Sequence, residues 1–180
     1  MMVYLLLADG FEEVEALTPL DLLRRAGIEI RTVGVTGEFV QGAHGITVKA
    51  DILPSEATES PDMLILPGGM PGTLNLDTAE ITDTLLTRTL QCGGKISAIC
   101  AAPMILGKRG LLKGKKAVCY PGFEKHLEGA FVADTSLVTD GAITTAKGMG
   151  VAFEFGMRLV SELLAEKVAL EIAASAQYRK

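Results

Sequence analysis

The segment Lys95-Ile-Ser-Ala-Ile-Cys100-Ala-Ala-Pro103 places a cysteine where a strand-like apolar run meets a helix-like one. Small residues two before and two after it, Ala98 and Ala102, are what a nucleophile elbow requires, because strand and helix must pass closely there. A cysteine facing the unpaired amides of a helix N-terminus has its pKa drawn down to roughly 3.5–7.5, which predicts a thiolate at Cys100 at neutral pH. The competing reading, of equal weight on this pattern alone, is a small buried hydrophobe. Cys92 and Cys119 fit that second reading better. A glycine turn, Leu66-Pro-Gly-Gly-Met-Pro-Gly72, leaves another buried strand. In an open α/β sheet, ligands bind beyond the carboxyl ends of the strands, so the amides of Gly68 and Gly69 could meet Cys100 and hold an oxyanion during addition to a carbonyl. An ordinary tight turn is the alternative. The third group is Asp9-Gly-Phe-Glu12-Glu13-Val-Glu15. Acids in a first helical turn complement the macrodipole, the role expected of Glu12 and Glu13. Glu15 shares a helical face with Pro19, Leu22 and Ala26, so apolar surroundings should raise its carboxyl pKa. Pro19 itself predicts a kink or boundary near Thr18.

Other chemistries find little support. No G-K-[ST] follows Gly68-Gly69, and Gly148-Met-Gly150-Val-Ala-Phe153 has phenylalanine where a dinucleotide fingerprint needs its third glycine. Two histidines, His44 and His126, lie far apart without metal-ligand spacing, so no metal is expected. The three cysteines are odd in number and lack C-x-x-C spacing, which predicts a reducing, cytoplasmic compartment. A net charge of −5 argues against nucleic acid as a partner, and no apolar run approaches the length of a membrane span. The basic group Lys108, Arg109, Lys113, Lys115 and Lys116 reads as a solvated helix end and loop.

These residues need a scaffold. With 180 residues, 48% of them hydrophobic, the chain can bury roughly 70% of its unfolded surface, and no linker or repeat divides it. One domain over 1–180 is expected. Continuous apolar runs at 3–8, 28–35, 63–66, 96–99, 117–119, 137–139 and 143–145 alternate with helical patterns at 12–26, 78–91, 101–109, 149–164 and 165–176. Strands covered on both faces read this way, which predicts an α/β three-layer sandwich with a mostly parallel sheet, helices on both faces and short loops. Asp77 with Glu80 resembles a capping box, while Gly27 and Gly93-Gly94 end helices. The Gly-punctuated stretch 37–45 predicts a hairpin that could border the site.

Taken together, Glu12-Glu13-Val-Glu15, Leu66-Pro-Gly-Gly69, Ala98-Ile-Cys100-Ala101 and Ala146-Lys-Gly-Met-Gly-Val-Ala-Phe-Glu-Phe155 resemble the ThiJ/PfpI superfamily over essentially the whole chain. Within it, the likeness is to the branch of the parkinsonism-associated deglycase and its bacterial relatives. That resemblance implies a flavodoxin-like fold, a homodimer, no cofactor and a reactive cysteine in a strained backbone conformation. By position, it makes Cys100 the nucleophile, Glu15 its carboxyl partner, and Gly69 and Ala101 the backbone donors, with Gly68, Arg25, His44 and Tyr120 around the pocket. Two departures bear on activity. Protease-like members carry histidine directly after the nucleophile, where this chain has Ala101, so peptidase activity is disfavoured. Deglycase-branch relatives often carry histidine before the proline that is Pro121 here, where this chain has Tyr120. Glu15 is then the proton carrier unless His126 reaches the site, and the Cys100–Glu15 pair is expected to keep one proton, with sulfur as the thiolate. The implied activity is that of a glyoxalase or deglycase acting on small α-oxoaldehydes or their adducts. The alternative is a redox-sensing or chaperone-like protein that uses an oxidisable Cys100.

Overall fold

The structure, a computed structural model, describes residues 1–178. In chain order its elements are β1 (Met2–Leu7), α1 (Glu13–Arg25), β2 (Glu29–Gly34), β3 (Phe39–Gln41), β4 (Thr47–Lys49), β5 (Met63–Leu66), α2 (Gly72–Thr78), α3 (Glu80–Gln91), β6 (Lys95–Ile99) and α4 (Pro103–Lys108). After these come β7 (Lys116–Ala117), β8 (Phe131–Val132), β9 (Leu137–Asp140), β10 (Ile143–Ala146), α5 (Ala152–Leu163) and α6 (Glu166–Ser175). Six strands form the main sheet in the order β2-β1-β5-β6-β10-β9. Five are parallel and β9 runs antiparallel to β10 at the edge.

The apolar runs are continuous because both faces of the sheet are covered. Along β1, Tyr4 and Leu6 point into one core with Leu76, Leu85 and Met104 of α2, α3 and α4. Val3, Leu5 and Leu7 point into the other with Leu23, Phe155 and Ile172 of α1, α5 and α6. The expected α/β sandwich is therefore present, and so is the hairpin, as β3 and β4. From β1 the chain passes to β2 on one side and returns as β5 on the other. Strand order reverses between β1 and β5, and the crevice beyond their carboxyl ends is where such sheets bind ligands.

Five expectations change. Asp77 caps nothing: it lies inside α2, which the sequence reading missed, and holds Lys108 at 2.5 Å and Arg109 at 2.6 Å. Those two cations are thus tied down rather than freely solvated. Pro19 does not interrupt α1, because its surroundings compensate: it is buried against α5 at Gly156, where an added Cβ would lie 3.0 Å from the Pro19 Cα. The run 117–119 supplies only the end of β7, which pairs with β8 in a separate two-stranded sheet. The segment from Arg109 to Ser136 is a long excursion with little regular structure, not a short loop. Among the described residues no helix is long and apolar enough to cross a membrane.

Candidate active site

Cys100 follows β6 immediately and takes φ +64, one of two positive-φ non-glycine residues among those described. A left-handed conformation at such a residue costs on the order of 1–3 kcal/mol and persists only where the surroundings impose it. Here both backbone groups are bonded: the Cys100 N–H donates to the Ala146 carbonyl at 2.9 Å, and its carbonyl accepts the Tyr120 N–H at 2.7 Å. The side chain is turned across the sheet ends toward α1 and lies beside Glu15: a Cβ added to Gly68 would stand 3.0 Å from Sγ and 2.5 Å from Glu15 Oε2. The Glu15 carboxyl and the N–H groups of Gly69 and Ala101 are the neighbours that act on the sulfur.

Glu15 is 1% exposed. Its Oε2 accepts the Gly68 N–H at 3.1 Å, and the Met149 N–H lies near enough to favour the ionised carboxylate. Glu12, at the N-cap of α1, accepts the Glu15 N–H at 2.7 Å and so fixes the turn that aims Glu15 inward. Gly68 is required at its position. An added Cβ would lie 2.5 Å from both the Cys100 Cβ and Glu15 Oε2, and 3.0 Å from Sγ. Gly69, at φ +91, sits against the backbone of Gly10, Phe11 and Glu12, joining the β5 turn to the start of α1.

The electrostatics reverse one expectation. Burial, then the adjacent Glu15 carboxylate, push the Cys100 thiol up to about 12, against the pull of the Gly69 and Ala101 amides. Desolvation and a neighbouring acid thus outweigh the helix-end donors that would lower the thiol. Burial likewise raises Glu15 to about 7, with Glu12 adding to the rise. Two groups this close titrate as a pair: the first proton leaves near neutrality and the second is held to high pH. Above pH 7 the site carries one negative charge shared between oxygen and sulfur.

The remaining expected residues divide. Tyr120 is at the site: an added Cβ on Gly148 would lie 3.3 Å from its ring and 3.6 Å from Glu15 Oε1. His44 stands at the rim, its Nδ1 2.9 Å from Glu13 Oε2 and 4.0 Å from Glu12 Oε1. Arg25 is not brought to the site. It lies ten residues along α1, about 15 Å at 1.5 Å per residue, exposed and paired with Asp21 at 2.6 Å. The His126 ring packs on Phe123 and makes no hydrogen bond to Cys100 or Glu15 among the described residues. Cys119 is buried as expected, whereas Cys92 is exposed.

Glu13 is also more than a dipole partner. Its buried carboxylate accepts the His44 N–H at 2.7 Å and the His44 ring, clamping the loop after β3 onto α1. Glu12, Glu13 and His44 place ligand atoms within 4.8 Å of one another, the group that could hold a metal ion among the described residues. Hydrogen bonds from N–H groups already engage both Glu13 oxygens, so the donor set is poorly suited to one. Sequence reasoning missed the Met149 amide. The signal lay in Gly148-Met149-Gly150, the turn that leaves β10 and passes Glu15 on its way into α5.

The profile of the DJ-1/PfpI family matches residues 1–162. A glutathione-independent glyoxalase of Caenorhabditis elegans is 32% identical over 161 residues, covering 88% of this chain and 86% of that protein. A deglycase of Pyrococcus abyssi is 33% identical over 147 residues, covering 78% and 86%. Among solved structures, oxidized DJ-1 of Toxoplasma gondii superposes with a TM-score of 0.95 at 35% identity, covering 99% of each chain. The chain spans 39% and 44% of the length of two Arabidopsis thaliana DJ-1 homologues that it also matches.

Proposed function

This chain belongs to the DJ-1/PfpI family, and on that premise we propose that it is a cysteine-dependent, cofactor-independent glyoxalase or deglycase acting on small α-oxoaldehydes such as methylglyoxal, or on their adducts. The observation that carries this reading is the buried Glu15 carboxyl set beside Cys100 Sγ at the Gly68 turn, with the Gly69 and Ala101 amides acting on the sulfur. Relatives named as a glyoxalase and a deglycase support the same class.

The chemistry follows from the groups present. As Glu15 takes up the thiol proton, the sulfur of Cys100 adds to the aldehyde carbon, and Glu15 passes that proton to the carbonyl oxygen, giving a hemithioacetal and the Glu15 carboxylate again. The Gly69 and Ala101 amides stabilise charge on sulfur and on the oxygen that develops beside it. The Glu15 carboxylate, poised near neutrality by its burial, then removes the proton from that carbon and returns it to the adjacent ketone carbon, while the hemithioacetal hydroxyl gives its proton to the ketone oxygen. The first carbon is oxidised to a thioester and the second reduced to an alcohol, so no external electron carrier enters. Water cleaves the thioester, releasing a 2-hydroxy acid and the thiol.

The test is release of lactate from methylglyoxal by a stereospecific assay, comparing the native chain with Cys100→Ser. Multiple turnovers that disappear in the variant are expected. Stoichiometric trapping of one aldehyde per chain would end the enzymatic reading. A second reading, redox sensing, is favoured by the oxidized state of the similar Toxoplasma gondii structure. In it, peroxide oxidises Cys100 to a sulfinate instead of the cysteine turning over an aldehyde.

A further inference from the structure

The run from Lys116 to Tyr120 lies against β9 and β10 without joining the ladder of the main sheet. On one side, β7 pairs with β8. On the other, three alternate N–H groups face the main sheet. The Lys116 N–H donates to the Asp140 carboxylate at 2.8 Å, the Val118 N–H to the Thr145 hydroxyl at 2.9 Å, and the Tyr120 N–H to the Cys100 carbonyl at 2.7 Å. Side chains therefore accept the first two of these bonds, and backbone accepts only the last. The Lys116 link is exposed to water, whereas Thr145 and Val118 are each 1% exposed. A buried N–H without an acceptor is strongly unfavourable, so the middle link decides where the run sits.

Thr145 stands opposite Ala98 where β10 pairs with β6, and the next residue, Ala146, accepts the Cys100 N–H at 2.9 Å. The two neighbours thus reach Cys100 from both sides: Ala146 directly at its N–H, and Thr145 through Val118, Cys119 and Tyr120 at its carbonyl. Those two bonds hold Cys100 at φ +64. Valine would fill the same buried strand position with better β propensity and no polar group to satisfy. The Val118 amide is what the threonine oxygen serves.

We infer that Thr145 is a positioning residue for Cys100: its hydroxyl fixes the run that ends at Tyr120, and with it the left-handed backbone that turns the sulfur toward Glu15. Thr145 acts through that run rather than on substrate. Its hold on the place of the sulfur stands on the hydrogen bonds alone, while the consequence for turnover rests on the glyoxalase reading.

The test compares Thr145→Val, which removes the acceptor, with Thr145→Ser, which keeps it, both in the full chain. In Thr145→Val the Tyr120 amide should exchange with deuterium at least about tenfold faster than in the native chain, while the amides of β1 and β5 keep their protection. The rise of Cys100 alkylation by iodoacetamide near pH 7 should flatten. For methylglyoxal, kcat should fall about 10- to 100-fold with KM little changed, because reacting atoms are misplaced and binding is not lost. Thr145→Ser should restore all three. A hydroxyl that only stabilises the fold would lower the unfolding midpoint and leave the pH profile and kcat of the folded protein native; that result overturns the inference, as do equal losses in the serine and valine variants. If Thr145→Val does not fold, Thr145→Ser against Thr145→Ala isolates the same oxygen atom. Faster Tyr120 exchange and altered alkylation in a protein whose native form converts no aldehyde would keep the role of Thr145 and remove the glyoxalase reading instead.

Discussion

At the scale of single residues, the Glu15–Cys100 pair sets stability against function. The folded-state pKa of Glu15, about 7, lies above its ordinary value of 4.5, so between those values the native chain binds more protons than the unfolded one and stability falls as pH rises. At 1.36 kcal/mol per pKa unit this amounts to about 3 kcal/mol lost between roughly pH 4 and 8. Glu15→Gln should therefore be more stable than the native chain at pH 8, measured by denaturant unfolding, with the advantage shrinking toward pH 4. The same variant should lower turnover of methylglyoxal by roughly 100- to 10,000-fold, because an amide cannot exchange the proton. A variant with native turnover would remove Glu15 from the mechanism. Iodoacetamide reactivity of Cys100 should rise through a step near pH 7 as the pair loses its first proton, and Glu15→Gln should replace that step with a single alkaline one. Superimposable curves for the two proteins would mean that the pair is not coupled.

At the scale of elements, the site depends on how closely α1 can lie against its neighbours. Gly156 of α5 is the contact: an added Cβ would fall 2.7 Å from Leu22 Cδ1 and 3.0 Å from the Pro19 Cα, and backbone cannot give way as a side-chain tip can. Gly156→Ala improves helix propensity by about 1 kcal/mol but overpacks this contact by about 1–3 kcal/mol, so a net loss of stability is expected in a urea titration. A gain would show that the two helices separate without cost. On the opposite face, Asp77 joins α2 to the end of α4. Burial opposes its ionisation, but Lys108 and Arg109 hold its carboxyl below the ordinary range. The stabilisation from a lowered carboxyl is present above the ordinary pKa of about 4 and is lost as acid protonates it. Asp77→Ala should cost about 1–3 kcal/mol at pH 7, leaving Lys108 without its carboxylate and Arg109 with Asp83 alone, and the difference from the native chain should narrow below pH 4.

At the scale of the whole molecule, apolar surface remains near the site's outer wall. Val14 at the start of α1, Phe39 in β3 and Ile46 in the loop that Glu13 clamps are 42%, 64% and 53% exposed. With the family likeness, this surface supports a homodimer as a proposal. Light scattering at micromolar concentration should give twice the 19.0 kDa of one chain. A monomer mass would refute the dimer while leaving the Cys100 chemistry untouched, since every group in the proposed mechanism comes from a single chain.

The sheet, its covering helices and the elbow at Cys100 were legible in the sequence because local signals carry them. Continuous Val/Ile/Leu runs mark strands buried on both faces, and small residues around Cys100 mark a tight strand-to-helix passage. Tertiary structure decided what depends on distance through space. Arg25 and Glu15 lie on one helix, yet only the start of that helix reaches the crevice, so position along α1 separates a site residue from a surface ion pair. The Met149 amide arrives from the turn that follows β10, more than 130 residues beyond Glu15, and no local pattern announces such a meeting. The ionisation of Cys100 is illegible in the sequence for the same reason. Its helix-end donors are local, but the burial and the carboxylate that outweigh them are supplied by elements that only the folded sheet brings together.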